Sequence, residues 1–359
     1  MADYSIRDIA RMAGVSVGTV SRILNNAENV DEGIRRRTME VIRQVNYRSG
    51  RRGRRAEQRG TAPSVPERTR SIALISPGMG SAWKSNELWA SYMAGIETAC
   101  QERRCRLTMY MADTKRDDII REIVRNADGI LIKMEDTLPD YLKELITLLP
   151  AVGFGAAHTF DPLPQVIVDN NAGGVIATEQ LLQHGHRRIA FVNHEACNEI
   201  FIARSNGYLE VVKSEGSFRP EYLIEFSART RADGYAAEPE QAPPDMSGVL
   251  EKLLSLPERP TAVVFANDWA AFGFLTACSA RGIRIPDEFS IAGMDDSGNL
   301  CTLLKPALSS VAMPFNRVSH FAACTLCDLI DGIGAHQRNT SSVIRIPGVL
   351  KQRDSIRTI

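Results

Sequence analysis

The chain has 359 residues, of which 44% are hydrophobic and 24% charged, values typical of a protein with buried cores. At roughly 150 residues per domain, this length predicts two or three compact units. No apolar run approaches the roughly 18 residues that span a bilayer, and the first ten residues are polar, without the apolar core of a signal peptide. The composition therefore argues against a membrane, secreted, collagenous or wholly disordered protein.

The net charge of zero hides a strong asymmetry along the chain. Residues 1–70 contain 15 arginines, no lysine and eight acidic residues, a net charge of +7, so the rest of the chain carries −7. A basic segment joined to an acidic body predicts an arm that binds a polyanion and a body with a different role.

Three regions follow one another in the sequence. Residues 1–47 have the spacing of short helices. Residues 48–70 are rich in arginine, glycine and proline and nearly devoid of apolar side chains, which is typical of a linker. From residue 71 to 359, strand-like runs alternate with helical periods. The strand candidates are 71–76, 107–111, 129–132, 151–154, 166–168, 189–193, 222–226, 262–266, 289–293 and 309–312.

This alternation predicts parallel sheets with helices on both faces. Ten strands exceed one comfortable sheet, so we predict an α/β core of two doubly wound lobes, preceded by a small all-α unit. We expect the first lobe at about 71–167 and 294–320, and the second at about 168–293 and 321–359.

The first region predicts three helices. Ser5 can cap the first, with Asp8 three residues on in a position similar to a capping box. Gly14 supplies a turn, Ser16 starts a second helix with the sequence SVGTVSRILNN, and Asp31 caps a third. Two short helices joined by a turn with glycine predict a helix-turn-helix, whose second helix enters the major groove of DNA.

The stretch from Tyr4 to Tyr47 resembles the DNA-binding headpiece of the lactose/galactose repressor family, and it matches nearly all of the pattern D-I-A-x-x-A-G-V-S-x-x-T-V-S-R-x-L-N. An ordinary three-helix unit with a solvated arginine face is the alternative. The resemblance implies that base edges face Val17, Gly18 and Arg22, and that phosphate contacts come from Ser16, Thr19, Ser21 and Asn25. Arg22 can donate two hydrogen bonds to guanine.

The linker departs from the family pattern. In the family, a hinge helix follows the tyrosine, and a leucine from each subunit wedges into the minor groove. Here Ala56 stands at the leucine position and is too small to wedge well, while Gly50 and Gly53 disfavour a helix. Two interpretations remain open: a minor-groove arm that seeks narrow A·T tracts, or a linker that contacts phosphates without sequence preference. Both rest on Arg51, Arg52, Arg54 and Arg55.

Three later motifs resemble the periplasmic-binding-protein-like core of the same family. They are VDNNAGGVIATEQLLQHGHRRIAFVN at 168–193, RSNGY at 204–208 and RPTAVVFANDWAAFG at 259–273. The resemblance implies a small-molecule effector, a sugar or related polyol, bound between the lobes.

Four residues are candidates for the effector site. Asp268 follows a strand, at the edge where open α/β sheets bind ligands, and can accept two sugar hydroxyls; a helix N-cap is the alternative. Arg204 can donate to hydroxyl oxygens or pair with a surface acid. The resemblance implies that Trp89 stacks on a sugar ring; a core aromatic is the alternative. Asn86 aligns with an asparagine of the family near this position.

Other signals are weaker. GMGSAWKS at 78–85 nearly fits a phosphate-binding loop, but Trp83 occupies a glycine position and would obstruct the backbone cradle. Cys324 and Cys327 have the spacing of metal ligands, but they lie on an apolar helical stripe, so we favour core packing over zinc. No nucleophile–base or paired-carboxylate pattern can be defended. We therefore expect no enzyme activity, no cofactor and no metal.

Together these features predict a transcriptional regulator that binds a pseudopalindromic operator in double-stranded DNA as a homodimer and responds to a small-molecule effector. One alternative is an orphan regulator of the same family controlled by a protein partner. A second, which the headpiece opposes, is a soluble sugar-binding protein. Seven cysteines at irregular spacing, without a secretory signal, favour reduced thiols, so we expect a cytoplasmic protein without membrane contact.

Overall fold

The computed structural model divides the chain into two compact units, Met1–Pro66 and Glu67–Ile359. It describes residues 6–24, 31–44, 69–77, 87–110, 117–134, 138–155, 162–227, 243–334 and 340–359.

The first unit contains three helices: α1 at Ile6–Ala13, α2 at Val17–Leu24 and α3 at Glu32–Gln44. Gly14 has a φ of +66°, a backbone conformation that glycine adopts without steric cost, and it makes the turn between α1 and α2. Asp31 accepts a hydrogen bond from the Ile34 amide and so caps α3. A small apolar core of Ile9, Ala10, Val20 and Ile42 holds the helices together. The predicted helix-turn-helix is confirmed.

The first lobe of the second unit is a parallel sheet. Its strands are β1 at Arg70–Ile75, β2 at Cys105–Tyr110, β3 at Gly129–Met134, β4 at Ala151–Gly155, β5 at Pro164–Asp169 and β11 at Ser342–Pro347, in the order β11-β5-β4-β3-β1-β2. Its helices are α4 at Glu87–Arg103, α5 at Asp117–Asn126, α6 at Asp140–Leu148 and α12 at Phe315–Ile330. The central strands β3 and β4 are apolar except for Lys133, because both faces of the sheet are buried under helices.

The second lobe repeats this strand order. Its strands are β6 at Ile189–Asn193, β7 at Leu223–Glu225, β8 at Ala262–Phe265, β9 at Ser290–Asp295, β10 at Ser309–Ala312 and β12 at Val349–Lys351, in the order β12-β10-β9-β8-β6-β7. Its helices are α7 at Asn170–Gln183, α8 at Glu199–Ser214, α9 at Ser247–Ser255, α10 at Asp268–Ala280 and α11 at Leu300–Leu303. Among the strands of the described part of this lobe, only β12 pairs with its neighbour in an antiparallel direction. The predicted fold class, two doubly wound α/β lobes with a small all-α unit, is confirmed.

The predicted division between the lobes is wrong after residue 293. Strand β10 was expected in the first lobe, but it pairs with β9 in the second. Conversely, α12 and β11 extend into the range expected for the second lobe. However, α12 packs on α4 and on β3, β4 and β5, and β11 pairs with β5 along six residues. Pairing with β5 therefore returns the chain to the first sheet before β12 ends it in the second.

Candidate functional site

Helix α2 separates a buried face from a solvent face. Val20 and Ile23 are buried, whereas Val17, Gly18 and Arg22 are exposed. The three residues predicted to face DNA bases therefore share the solvent side of α2. This is the arrangement that a recognition helix requires.

The start of α2 is fixed by a capping interaction. The Ser16 hydroxyl accepts a hydrogen bond from the Thr19 amide at 3.1 Å, and the two side-chain oxygens are 2.9 Å apart. Such a cap is worth about 1 kcal/mol to the helix. Ser16 and Thr19, predicted phosphate contacts, thus also set where α2 begins.

Several predicted residues cannot be placed. The side chain of Ser21 lies outside the described part of the chain, and so do Asn25, Arg51, Arg52, Arg54, Arg55, Asn86 and the segment 78–85. Their roles stay predictions.

Arg204 of α8 connects the ends of three strands. Its guanidinium donates hydrogen bonds to the Asn170 side chain at 3.0 Å, to the Ala266 carbonyl at 2.6 Å and to the Asp295 carboxylate at 2.6 Å. Asn170 directly follows β5 of the first sheet, Ala266 follows β8, and Asp295 ends β9. Arg204 is therefore buried where the two lobes meet at the carboxyl edges of their strands, the usual place for a ligand in open α/β sheets.

Close contact between α7 and α8 positions this arginine. A Cβ at Gly174 would lie 2.0 Å from the Arg204 carbonyl oxygen, and a Cβ at Gly207 would lie 2.1 Å from the Asn171 carbonyl oxygen. Only glycine permits both approaches, so these two positions hold Arg204 beside Asn170.

Two consecutive aspartates at the end of β9 have strained backbones. Asp295 and Asp296 have φ values of +110° and +54°, a region that non-glycine residues rarely occupy. Each is held by an ion pair at 2.6 Å, Asp295 with Arg204 and Asp296 with Arg353. Strain that persists because ion pairs hold it is often found at ligand sites.

Asp268 is completely buried at the start of α10. One carboxylate oxygen accepts from the Ser310 hydroxyl at 2.6 Å and the other from the Ser297 amide at 2.8 Å. Burial, together with the nearby Asp295, raises the pKa of Asp268 to about 7. The alternative reading as an N-cap is wrong, because Asn267 caps α10 by accepting from the Ala270 amide. Asp268 thus belongs to an internal network, and its contact with an effector stays a prediction.

Trp89 is 5% exposed and belongs to the main apolar cluster of the core. Near it, Tyr92 packs edge-on against Phe154 and Phe315, each with ring centroids 5.3 Å apart. This burial favours the core reading that the sequence left open for Trp89, while stacking on a sugar stays a prediction.

Sequence reasoning missed two buried polar side chains. The Ser76 hydroxyl follows β1 and the His194 imidazole follows β6; both are buried and have no hydrogen-bond partner within the described residues. The imidazole ring lies 5.5 Å from that of Phe201, whose face also carries the Arg204 guanidinium at 5.4 Å. Burial lowers the pKa of His194, while Glu195 opposes the change. Buried polar groups without hydrogen-bond partners at strand ends favour a ligand with hydroxyl groups, because hydroxyls can supply the missing bonds.

Comparisons with known proteins agree with this arrangement. Residues 5–49 match the family model described as bacterial regulatory proteins, lacI family, and residues 178–356 match that of a periplasmic binding protein-like domain. Catabolite control protein A of Priestia megaterium is 26% identical over 360 residues, covering 98% of this chain and 99% of that protein.

Two solved structures share the fold. A complex of the transcriptional regulator CelR with cellobiose has a TM-score of 0.61 at 22% identity, covering 98% of this chain and all of that one. The Lac repressor dimer bound to operator and the anti-inducer ONPF has a TM-score of 0.59 at 19% identity, covering 99% of each chain.

Within the described residues, no helix has the length and apolar character needed to cross a membrane. The headpiece match, the core match and the full-length relative together identify the chain as a member of the lacI family of bacterial regulatory proteins, which are DNA-binding transcription regulators.

Proposed function

We propose that this protein binds operator DNA as a homodimer and that a sugar or related polyol, bound between the two core lobes, changes its affinity for the operator. The observation that carries the proposal is the set of buried polar groups at the carboxyl edges of both sheets. In this role the protein acts in the cytoplasm and catalyses no reaction.

The DNA side rests on α2. Its solvent face presents Val17, Gly18 and Arg22, of which only Arg22 can donate a forked pair of hydrogen bonds to a base. One such helix reads a short half-site, so two headpieces on a pseudopalindromic operator gain both affinity and specificity. The Lac repressor structure that shares this fold is a dimer on its operator.

The effector side rests on Ser76, His194 and Arg204. An unmade hydrogen bond at a buried group costs about 1–3 kcal/mol, and the hydroxyls of a sugar could remove that cost for Ser76 and His194. Neighbouring aromatic rings such as Phe201 offer apolar faces of the kind that pack on a sugar ring. The CelR structure that shares this fold holds cellobiose.

Effector binding changes DNA affinity if the ligand prefers one arrangement of the two core lobes. Ser76 belongs to the first lobe and His194 to the second, so a ligand bound to both favours the conformation in which they approach. Arg204 holds Asn170, the first residue after β5, against Ala266 and Asp295, so it fixes the second lobe at the point where the chain enters it from the first. The effect on DNA equals the difference in ligand affinity between the two conformations.

The DNA proposal is tested with a sequence selected from random DNA by the full-length protein. Arg22→Ala should cost roughly 1–3 kcal/mol on that sequence and much less on random DNA, measured by fluorescence anisotropy. Arg11→Ala is the matched control, because Arg11 is an exposed arginine on α1 whose partner is Asp8. An equal loss on both DNAs would show that Arg22 reads no base.

The effector proposal is tested by a panel of mono- and disaccharides in thermal unfolding. A ligand that binds the native state raises the melting temperature. The same sugar should change operator affinity. No change in either measurement with any sugar would contradict the sugar site and leave a protein partner as the regulator.

A further inference from the structure

A second cluster of functional side chains lies in the first lobe, at the edge of the sheet opposite the cleft. It consists of Glu102 in the last turn of α4 and of His320 and Cys324 on α12. Helix α4 ends just before the first residue of β2, which places Glu102 at the amino ends of the strands. None of the three belongs to the effector site or to the headpiece.

Tight packing of α4 on α12 fixes the geometry of this cluster. A Cβ at Gly95 would lie 1.9 Å from the Asn316 carbonyl oxygen, and the Ser319 hydroxyl donates to the Tyr92 carbonyl at 2.7 Å. The two helices are therefore held in one register. His320 and Cys324 are four residues apart on α12, so they lie on the same face of the helix.

The donor atoms of the three side chains all lie within 4.8 Å of one another. His320 Nε2 is 2.8 Å from Glu102 Oε2 and 3.9 Å from Cys324 Sγ. Zinc ligands lie about 2.0–2.3 Å from the ion, which puts neighbouring ligand atoms roughly 3.3–3.8 Å apart in a tetrahedron. Small rotations of these side chains would reach that spacing.

We propose that Glu102, His320 and Cys324 form a binding site for a divalent transition-metal ion such as Zn²⁺, with water in the fourth position. An imidazole, a thiolate and a carboxylate together suit such an ion, whereas Mg²⁺ and Ca²⁺ prefer oxygen ligands alone. Glu102 is 54% exposed, which leaves a path for the ion from solvent. A bound ion would fasten the end of α4 to α12 and stabilise the first lobe.

The other cysteine of the Cys-x-x-Cys motif lies elsewhere. Cys327 does not join the site, because its sulfur faces that of Cys105 at 3.3 Å. The Cys-x-x-Cys spacing is thus divided between two environments, and the ligands instead come from two helices. Spacing along the chain could not show this.

The test is a titration of the full-length, chelator-treated protein with Co²⁺. Cobalt bound to a thiolate in a four-coordinate site gives a charge-transfer band and intense visible bands. We expect one ion per chain and displacement of Co²⁺ by Zn²⁺. Cys324→Ser should abolish the charge-transfer band, and His320→Gln should weaken binding roughly tenfold or more. The matched control is Cys197→Ser, an exposed thiol of the second lobe, which should keep the band.

Thermal unfolding provides the second measurement. Zn²⁺ at a free concentration a hundredfold above its dissociation constant shifts the unfolding equilibrium about a hundredfold toward the native state. This shift should appear in the wild-type protein and in Cys197→Ser, and be absent in Glu102→Gln, whose surface substitution leaves the fold intact. Absence of a cobalt band in the wild type, its persistence in Cys324→Ser, or its loss in Cys197→Ser would overturn the proposal.

Discussion

The two core lobes share one strand order, yet they treat the polar groups at their carboxyl edges differently. In the second lobe, a continuous network joins Arg204 with Asp295, Arg353 with Asp296, and Asp268 with Ser297 and Ser310. In the first lobe, Ser76 has no partner among the described residues, and the buried Lys133 donates to the Met134 carbonyl at 3.3 Å, with its ammonium 5.1 Å from the centre of the Tyr92 ring. The second lobe therefore has a preformed network of ion pairs beside one ring without a hydrogen-bond partner among the described residues, that of His194, while the first has a buried ammonium and a hydroxyl still to be satisfied.

This difference assigns different work to the lobes. A saturated network is rigid, because breaking one bond leaves a buried group unsatisfied. An unsaturated edge gains most from a ligand, because the ligand supplies the missing bond. In the proposed effector site, the network of the second lobe would therefore set the shape, and a ligand bound to Ser76 and His194 would complete the missing bonds of both lobes.

The largest expected effect comes from removing the centre of the network. Arg204→Met leaves the Asp295 carboxylate buried without its partner, and we expect a loss of about 3–5 kcal/mol of unfolding free energy. Urea unfolding followed by circular dichroism measures it. Arg281→Gln, which breaks the exposed pair with Glu251, is the control and should cost less than about 1 kcal/mol.

A double variant decides whether the unpaired charge is the cause. Arg204→Met with Asp295→Asn leaves no buried charge, so it should recover part of the lost stability. A double variant that loses as much unfolding free energy as the sum of its two single variants would show that Arg204 acts by packing alone and not by pairing with Asp295.

The next effect is a dependence on pH that the second lobe alone should show. The pKa of Asp268 is about 7 in the folded protein, above its ordinary value of 3.8, so between these values the folded state keeps a proton that the unfolded chain releases. Stability contributed by this group is therefore fully present at low pH and is lost as the pH rises through about 7. Asp268→Asn should flatten that loss by on the order of 2–4 kcal/mol.

Urea midpoints between about pH 4 and pH 8 measure the effect. His186 and His194, whose pKa values burial lowers, contribute in the opposite direction, with stability that rises with pH. The wild-type protein and Asp268→Asn both contain these histidines. The difference between their curves of urea midpoint against pH therefore isolates Asp268. Parallel curves would show that Asp268 is ionised throughout and that its network is less closed than its burial indicates.

The same two lobes show what the sequence could predict. Local signals were sufficient for the headpiece helices and for the apolar strands, whose periodicity and caps are encoded within a few residues. Of the two missed strands, β12 has only three residues, while β11 has six, with Arg345 and Pro347 interrupting its apolar pattern. Its pairing with β5 joins segments far apart in sequence, and no local pattern encodes such a contact. The error in lobe assignment follows from this.

For the site, the functional residues were easier to predict than their hydrogen-bond partners. Arg204 and Asp268 were identified by motif, but their internal partners Asp295 and Ser310 come from distant elements. Ser76 and His194 carried a usable signal, since each is a polar residue within one position of the end of a buried strand. The position after a strand was used to identify Asp268, which follows the end of β8 by three residues, but not Ser76 or His194. Whether a buried group already has a partner depends on tertiary packing and cannot be read from one sequence.

The smallest expected effect compares one substitution at two buried serines, one in each lobe. Ser355 belongs to the second lobe, where its hydroxyl accepts from the Ser309 amide and donates to the Ile291 carbonyl, both at 2.8 Å. Ser355→Ala leaves both groups without this partner and should cost about 1–3 kcal/mol. Ser76→Ala removes a hydroxyl that has no partner among the described residues, so it should cost nothing or stabilise the free protein slightly.

In the presence of an effector the order should reverse: Ser76→Ala should lose ligand-induced stabilisation, while Ser355→Ala should retain it. Equal costs in the free protein would show that Ser76 is satisfied as fully as Ser355, and this would contradict its proposed role as an open hydrogen-bonding group for the effector.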